Sequence, residues 1–161
     1  MPIECDYFLK IAGIEGESHD DKHPKEIQIS RFNFAVANRG RRGDYKVGKT
    51  TFSDAQFSCR IDQGYPKLKL ACTTGEHIAS AVLTCRKQGG GQKDFLIITF
   101  SDIVVTSCKL VTEDSDLLPN VEFTISFTKQ QIEYREQKQD GSLGGAVLAT
   151  VDIKKNTAVS A

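Results

Sequence analysis

The chain has 161 residues, and its 21 Lys and Arg balance its 21 Asp and Glu. A neutral total excludes a nonspecific nucleic-acid binder, which needs surplus basic side chains, and it removes the self-repulsion that keeps copies of one protein apart. The length suits one domain over 1–161, able to bury roughly 70% of its unfolded surface without a disulfide scaffold. No apolar run approaches the ~20 residues of a membrane span, and the expectation from the first residues is that no cleavable signal peptide is present.

In chain order, Tyr7-Phe8-Leu9-Lys10-Ile11 reads as a short strand that enters a turn dense in glycine and acid, Gly13-Ile14-Glu15-Gly16-Glu17-Ser18-His19-Asp20. The next strand has apolar side chains at Ile27 and Ile29 and then at Phe32 and Phe34. This change of phase predicts a β-bulge near Ser30–Arg31. A long loop follows at 38–50. Phe57, Cys59 and Ile61 alternate with polar residues, as in a half-buried strand. Pro66 suits a first helical turn, Leu68, Ala71 and Cys72 fall at i, i+3 and i+4, and Gly75 suits the stop, so a helix of two to three turns is predicted. Gly89-Gly90-Gly91 caps a hairpin between strands at 78–86 and 94–108. The second of these is too long and apolar for one flat strand and is expected to bend near Ser101–Asp102. Val121, Phe123, Ile125 and Phe127 are odd-numbered while Ile132 and Tyr134 are even, which predicts a second bulge at Lys129–Gln131. Glu113–Pro119 reads as an acidic loop. The last strand carries Val147, Ala149, Val151 and Ile153 on one apolar face. Many strands, short turns and one helix predict a mainly β fold, a single small antiparallel β-barrel with one short α-helix.

The segment Gly43-Asp44-Tyr45-Lys46-Val47-Gly48-Lys49-Thr50 matches GxxxxGK[ST]. Phosphate binding by that pattern needs a helix directly after it, and the residues after Thr50 read as a strand, so a mobile glycine-rich loop is expected. Five cysteines, Cys5, Cys59, Cys72, Cys85 and Cys108, form no CxxC and lie near no histidine in a metal spacing, so they read as reduced, mostly buried small hydrophobes. His19 and His23 share the acidic turn, but Lys22 and Pro24 interrupt it; a solvated polar turn is expected, with no metal and no cofactor. No serine sits in GxSxG and no cysteine has a histidine and asparagine context, so no catalytic residue is assigned and no enzyme activity is expected. The aromatic residues lie mainly at inward strand positions and read as core.

Loop charge is asymmetric. Arg39, Arg41, Arg42, Lys46 and Lys49 face one acid, Asp44, and Tyr45 lies among them. Glu15, Glu17, Asp20, Asp21 and Glu26 outnumber Lys22 and Lys25, and Glu113, Asp114 and Asp116 form a second acidic loop. Such runs are either solvated surface or opposite-sign patches that meet on neighbouring copies.

Three blocks, in this order and spacing, carry a resemblance: Tyr7 to Asp20, PKLKLACTTGEH at Pro66 to His77, and GGAVLATVDIKKNTA at Gly144 to Ala158. Together they resemble the haemolysin-coregulated protein (Hcp) family, the tube protein of bacterial type VI secretion, over nearly the whole chain. The resemblance implies a homohexameric ring of side-by-side barrels, stacked head to tail into a hollow tube. A contractile sheath surrounds that tube, a spike trimer caps it, and small effector proteins ride in the lumen. It also implies residence in the bacterial cytoplasm before firing and then secretion or injection, with no nucleic acid bound and no membrane insertion. The loop at 38–50 corresponds to the one that touches the next ring, and the outward face of the second strand to the lining of the hole. That makes Asn33 the first lumen candidate and Arg31 the second. No fused effector domain is expected after Ala161. A stand-alone β-barrel ligand-binding module and a P-loop nucleotide binder remain as alternatives.

Overall fold

The computed structural model of the chain describes residues 4–38, 50–88, 92–115, 117–155 and 157–160. Ten strands and one helix follow in order: β1 (Cys5–Ile11), β2 (Ile27–Asn33), β3 (Val36–Asn38), β4 (Thr50–Phe52), β5 (Ala55–Arg60), α1 (Tyr65–Thr74), β6 (Ile78–Lys87), β7 (Asp94–Val111), β8 (Asn120–Gln137), β9 (Leu143–Asp152) and β10 (Thr157–Ser160). All pairings are antiparallel. The order β8-β5-β2-β1-β6-β7 returns to β8 through a β7–β8 ladder, which closes a six-stranded barrel. The strands β9 and β10 continue outward from β8, and β3 and β4 form a separate two-stranded ribbon.

The barrel interior is aromatic. Phe57, Phe100 and Phe123 are fully buried. Phe57 stacks on Phe123 at 5.4 Å between centroids and meets Phe100 edge-on at 6.2 Å. Offset and edge-to-face pairs of this kind add to the burial of apolar area. Phe34 reaches Phe100 at 5.7 Å, and Tyr7 meets Phe32 at 5.2 Å, so the aromatic row crosses the barrel. The helix contributes buried Leu68 and Ala71 and packs on β7. Its start carries Pro66 and its end is Gly75 at φ 67°, whose N–H bonds back to the Ala71 carbonyl. This left-handed cap is the position for which the sequence offers glycine.

The first predicted bulge is present. Ile29 pairs with Cys59 and Arg31 with Ser58, so Ser30 is the extra residue, its hydroxyl donating to the Ser58 carbonyl at 2.9 Å. The second is not where the phase change in β8 suggested. The β7–β8 register runs unbroken from Leu96↔Tyr134 to Val105↔Ile125, and the shift falls beyond, at Thr106 of β7. What turns the faces over is the bend of β7 at Asp102, which adopts a left-handed φ of 50°. On β7, Ile98 and Phe100 are buried before it, and Ile103 and Val105 after it. On β8, Thr128 lies across from Asp102 and sends its hydroxyl to that carboxylate at 3.4 Å, so both strands twist together. A face can therefore switch without an inserted residue when one residue takes a left-handed conformation. The glycine turn at 89–91 and the loop at 39–49 lie outside the described residues.

If the left-handed bend at Asp102 sets this geometry, a β-branched residue there carries the strain and an asparagine does not. Asp102→Val is expected to lose about 1–2 kcal/mol more than Asp102→Asn in urea unfolding; equal losses would remove the bend from the account.

Candidate functional site

Two outer surfaces of the barrel carry organised polar chemistry. The first lies over β1, β6 and β7. Phe8 alternates with Tyr7 and Leu9 and so points away from the barrel interior, yet it is only 2% exposed. Its cover is the turn that follows β1. Gly16 N–H bonds to the Lys25 carbonyl at 2.8 Å and Ser18 N–H to the Glu26 carbonyl at 3.1 Å, so the turn folds back on itself as a narrow loop. A Cβ at Gly16 would meet the Glu26 carbonyl oxygen at 2.5 Å, and only glycine permits that approach. The loop lays His23 flat on Phe8, ring centroids 4.6 Å apart and planes within 9°. Arg86 of β6 sits over the same ring at 4.9 Å.

Carboxylates surround both of these side chains. Arg86 is almost entirely buried and reaches Asp20 at 2.8 Å and Asp6 at 3.2 Å. His23 places Nδ1 2.8 Å from Glu26 and Nε2 3.3 Å from Asp94. Asp20 also accepts from the backbone N–H of Lys22 at 2.9 Å and of His23 at 3.2 Å, closing an Asx turn. The Arg86 guanidinium beside Asp20 holds that carboxyl down at about 2, with the two backbone donors acting in the same direction. Register explains the convergence: Asp6 pairs with Arg86, and Arg86 with Asp94, so three charged residues form one row across β1, β6 and β7.

This corrects the expectation of a solvated turn. His23 and Glu26 are buried, and Asp20 is engaged by Arg86 of the same chain. The acids that face outward here are Glu15, Glu17 and Asp21, with His19 also exposed. Sequence reasoning missed Arg86 and the stacking on Phe8. The signal was an aromatic at an outward position of β1 and an arginine ending the apolar run of β6.

The second surface is the outer face of β2, β5, β8 and β7. Register assembles two cross-strand rows on it. One is Asn33, Gln56, Thr124 and Ser107, and the next is Arg31, Ser58, Glu122 and Lys109. Asn33 Nδ2 donates to Gln56 at 3.4 Å, and Thr124 shares short hydroxyl contacts of 2.6 Å with both Thr106 and Ser107. Directly behind lies the core row Phe32, Phe57, Phe123 and Cys108. Asn33 and Arg31 are both exposed, and the bulge at Ser30 brings Arg31 to the same outer face as Asn33.

Of the other predicted positions, Glu113 and Asp114 are exposed in the link between β7 and β8. Arg39, Arg41, Arg42, Asp44, Tyr45, Lys46, Lys49 and Asp116 lie outside the described residues. Thr50, which ends the GxxxxGK[ST] match, opens strand β4, so no helix follows that segment. The described cysteines are all unpaired, and burial pushes the Cys59 and Cys85 thiols up to about 12.

A family model described as type VI secretion system effector, Hcp, matches residues 8–134. The chain belongs to the Hcp family. It is 33% identical over 159 residues to Protein hcp1 of Pseudomonas aeruginosa, covering 96% of this chain and 98% of that one. The crystal structure of Hcp1 from Salmonella typhimurium superposes with a TM-score of 0.80 at 30% identity, covering 96% of this chain and 99% of that one. A structure described as a type six secretion system protein shares the fold at a TM-score of 0.91 with 23% identity, covering 97% and 100%. The Hcp family model stops short of β9 and β10, whereas the match to the Pseudomonas relative takes in β9.

The Arg86 clasp makes an acid-stability prediction. Because the Asp20 carboxyl lies at about 2 rather than its ordinary 3.8, its stabilising contribution is complete above the ordinary value and is lost as pH falls toward 2. Asp20→Asn is therefore expected to lower the unfolding midpoint at neutral pH and to converge on the native protein between about pH 4 and 2. A constant gap across that range would show that Asp20 is not the linked group.

Proposed function

We propose that this chain is the repeating, non-catalytic subunit of the type VI secretion inner tube. One tube domain, 1–161, packs side by side in a hexameric ring, and rings stack head to tail into a hollow tube. The tube lies inside a contractile sheath, is capped by a spike trimer, and leaves the bacterial cytoplasm on firing. The observation that carries the reading, beyond family membership, is the outer face of β2, β5, β8 and β7. It is polar along both registered rows, exposed at Asn33, Ser107, Arg31 and Lys109 though not at buried Ser58, and lies over an aromatic core row, as a wetted wall requires.

Negative-stain images of the purified chain test the assembly: six-fold rings with a central hole are expected. A monomer mass by light scattering at micromolar concentration would leave only a stand-alone barrel.

In this reading the basic residues Arg39, Arg41, Arg42, Lys46 and Lys49 of one ring meet acids of the next, either Glu15, Glu17 and Asp21 or the 113–116 loop. Exposed pairs contribute only ~0.2–1 kcal/mol each. Six copies per interface multiply that small amount, and salt weakens it. Arg41→Glu with Arg42→Glu is expected to impair stacking and secretion while single rings persist. Unchanged tubes and unchanged secretion would remove the charge of this loop from the mechanism.

Small effector proteins carried in the lumen would touch the polar wall first at Asn33, with Arg31 beside it. The competing role for Asn33 is a wall residue that binds only water. Asn33→Arg is expected to keep hexamers intact and to change which small effector co-purifies. Co-purification identical to the native chain would assign Asn33 to the wall alone.

A further inference from the structure

The bend at Asp102 accounts for the turnover of faces on β7 and leaves a second irregularity of that strand without a role. Val105 pairs with Ile125 and Ser107 with Thr124, so Thr106 is an extra residue. At such a bulge two consecutive residues oppose one partner. Thr106 and Ser107 are both exposed, and both hydroxyls reach Thr124 Oγ1 at 2.6 Å. Asp54, exposed beside fully buried Ala55, accepts from the Thr106 hydroxyl at 2.8 Å. The bulge thus builds a chain of three hydroxyls that ends on a carboxylate, at one end of the row that holds Asn33 and Gln56.

Counting protons fixes the direction of this chain. A hydroxyl has one proton and a carboxylate has none. Thr106 gives its proton to Asp54, so in its contact with Thr124 it accepts and Thr124 donates. Thr124 then has no proton for Ser107, so Ser107 donates to Thr124. All three protons point toward the carboxylate. Exposed Ser107 is left with lone pairs only at Oγ, and the other Asp54 oxygen likewise can only accept. Hydrogen bonds in such a chain polarise one another, which strengthens the acceptor at its open end. The surrounding charges leave this character in place. On one side the next row is Val104 and Ser126, both uncharged. On the other, Lys109 stands directly opposite Glu122. Arg31 lies three strands from Ser107, and Arg60 six positions along the chain from Asp54, both farther than the ~10 Å over which exposed charges act in salt.

We propose that this corner of the wall recognises a hydrogen-bond-donating cation, an arginine or lysine side chain on a small protein carried in the lumen. Placing the occupant in the lumen rests on the tube reading above. Such a side chain has donors and no acceptor, which complements a row end that has acceptors and no free donor. A carboxylate or phosphate would meet only lone pairs there and is refused. The amides of Asn33 and Gln56 on the same row both donate and accept, so they contact a cargo without choosing its charge. The choice is made by Asp54 and by the hydroxyl chain that the bulge at Thr106 assembles.

The test measures binding of a short fluorescent glycine–arginine repeat peptide, and of its neutral glycine–citrulline counterpart, to the full chain by anisotropy, with assembly followed by light scattering. The arginine peptide is expected to bind more tightly than the citrulline peptide. Asp54→Asn is expected to weaken the arginine peptide about tenfold, as loss of a charge-assisted bond does. Thr124→Val changes no charge but breaks the chain between Ser107 and Asp54, and is expected to weaken it about threefold. Glu122→Gln removes the same charge from the neighbouring row and is expected to stay within about twofold of the native chain. Where Thr124→Val loses native circular dichroism, Ser107→Ala replaces it with the same expectation. Equal binding of the two peptides, an unchanged affinity in Thr124→Val or its replacement, or a loss in Glu122→Gln as large as in Asp54→Asn would overturn the site, and intact rings in those samples would leave the tube reading standing. A native chain that stays monomeric and still binds with the expected pattern would sink the tube reading and keep the cation site.

Discussion

The β7–β8 ladder is the constraint on which the rest of the molecule depends. It closes the barrel, pairing from Leu96↔Tyr134 to Val111↔Asn120 without a free edge between them. Closure is what removes exposed strand edges from a small β protein. The same two strands, each 18 residues long, overrun the barrel, and that excess length gives β9 something to pair with. The bend at Asp102 lets both uses coexist. Before it the buried face belongs to Ile98 and Phe100, after it to Ile103 and Val105, and the ladder is continuous through the switch. Without that twist, one half of the hairpin would present polar residues to the aromatic core.

The polar surfaces follow from this frame. Register carries Asn33, Gln56, Thr124 and Ser107 into one line and their neighbours Phe32, Phe57, Phe123 and Cys108 into the line behind it. On the other side, register aligns Asp6, Arg86 and Asp94, and the glycine-dependent fold-back at Gly16 lays Asp20, His23 and Glu26 over them. A buried arginine with two carboxylates is costly to desolvate and costly to break. The clasp therefore fixes the position of the turn rather than adding much to net stability. The balanced charge of the whole chain conceals this local division, since two of the acids in the turn are answered within the same chain.

Much of the fold was legible in period-two patterning, because strands half-buried in a barrel must alternate. The helix was legible in its first turn and at its stop, since Pro66 and Gly75 act through their own backbone preferences. The bulge at Ser30 was legible because the extra residue lies in the strand whose phase changes. The turnover in β8 was not, because its cause is the conformation of Asp102 on the partner strand. The ribbon of β3 and β4 and the strand β10 are too short and too exposed to leave a pattern. Asn33 could be placed outward from Phe32 and Phe34 alone, whereas Gln56, Thr124 and Ser107 join it only through cross-strand register. His23 could not be placed at all, since its burial depends on Phe8 and on Asp94, 71 positions away. The apolar stripe of β9 was legible as a stripe, and its exposure was not, because alternation reports character and not what covers it.

The unpaired thiols have a chemical consequence. Nucleophilic attack and oxidation proceed through the thiolate. With Cys59 and Cys85 raised to about 12 by burial, only roughly one such side chain in 10⁵ is ionised at neutral pH. Those two sulfurs are thereby poor nucleophiles toward peroxide and toward disulfides alike. Within the barrel, those two positions therefore resist covalent change in an oxidising medium, whereas the half-buried Cys5, Cys72 and Cys108 lack the same degree of cover.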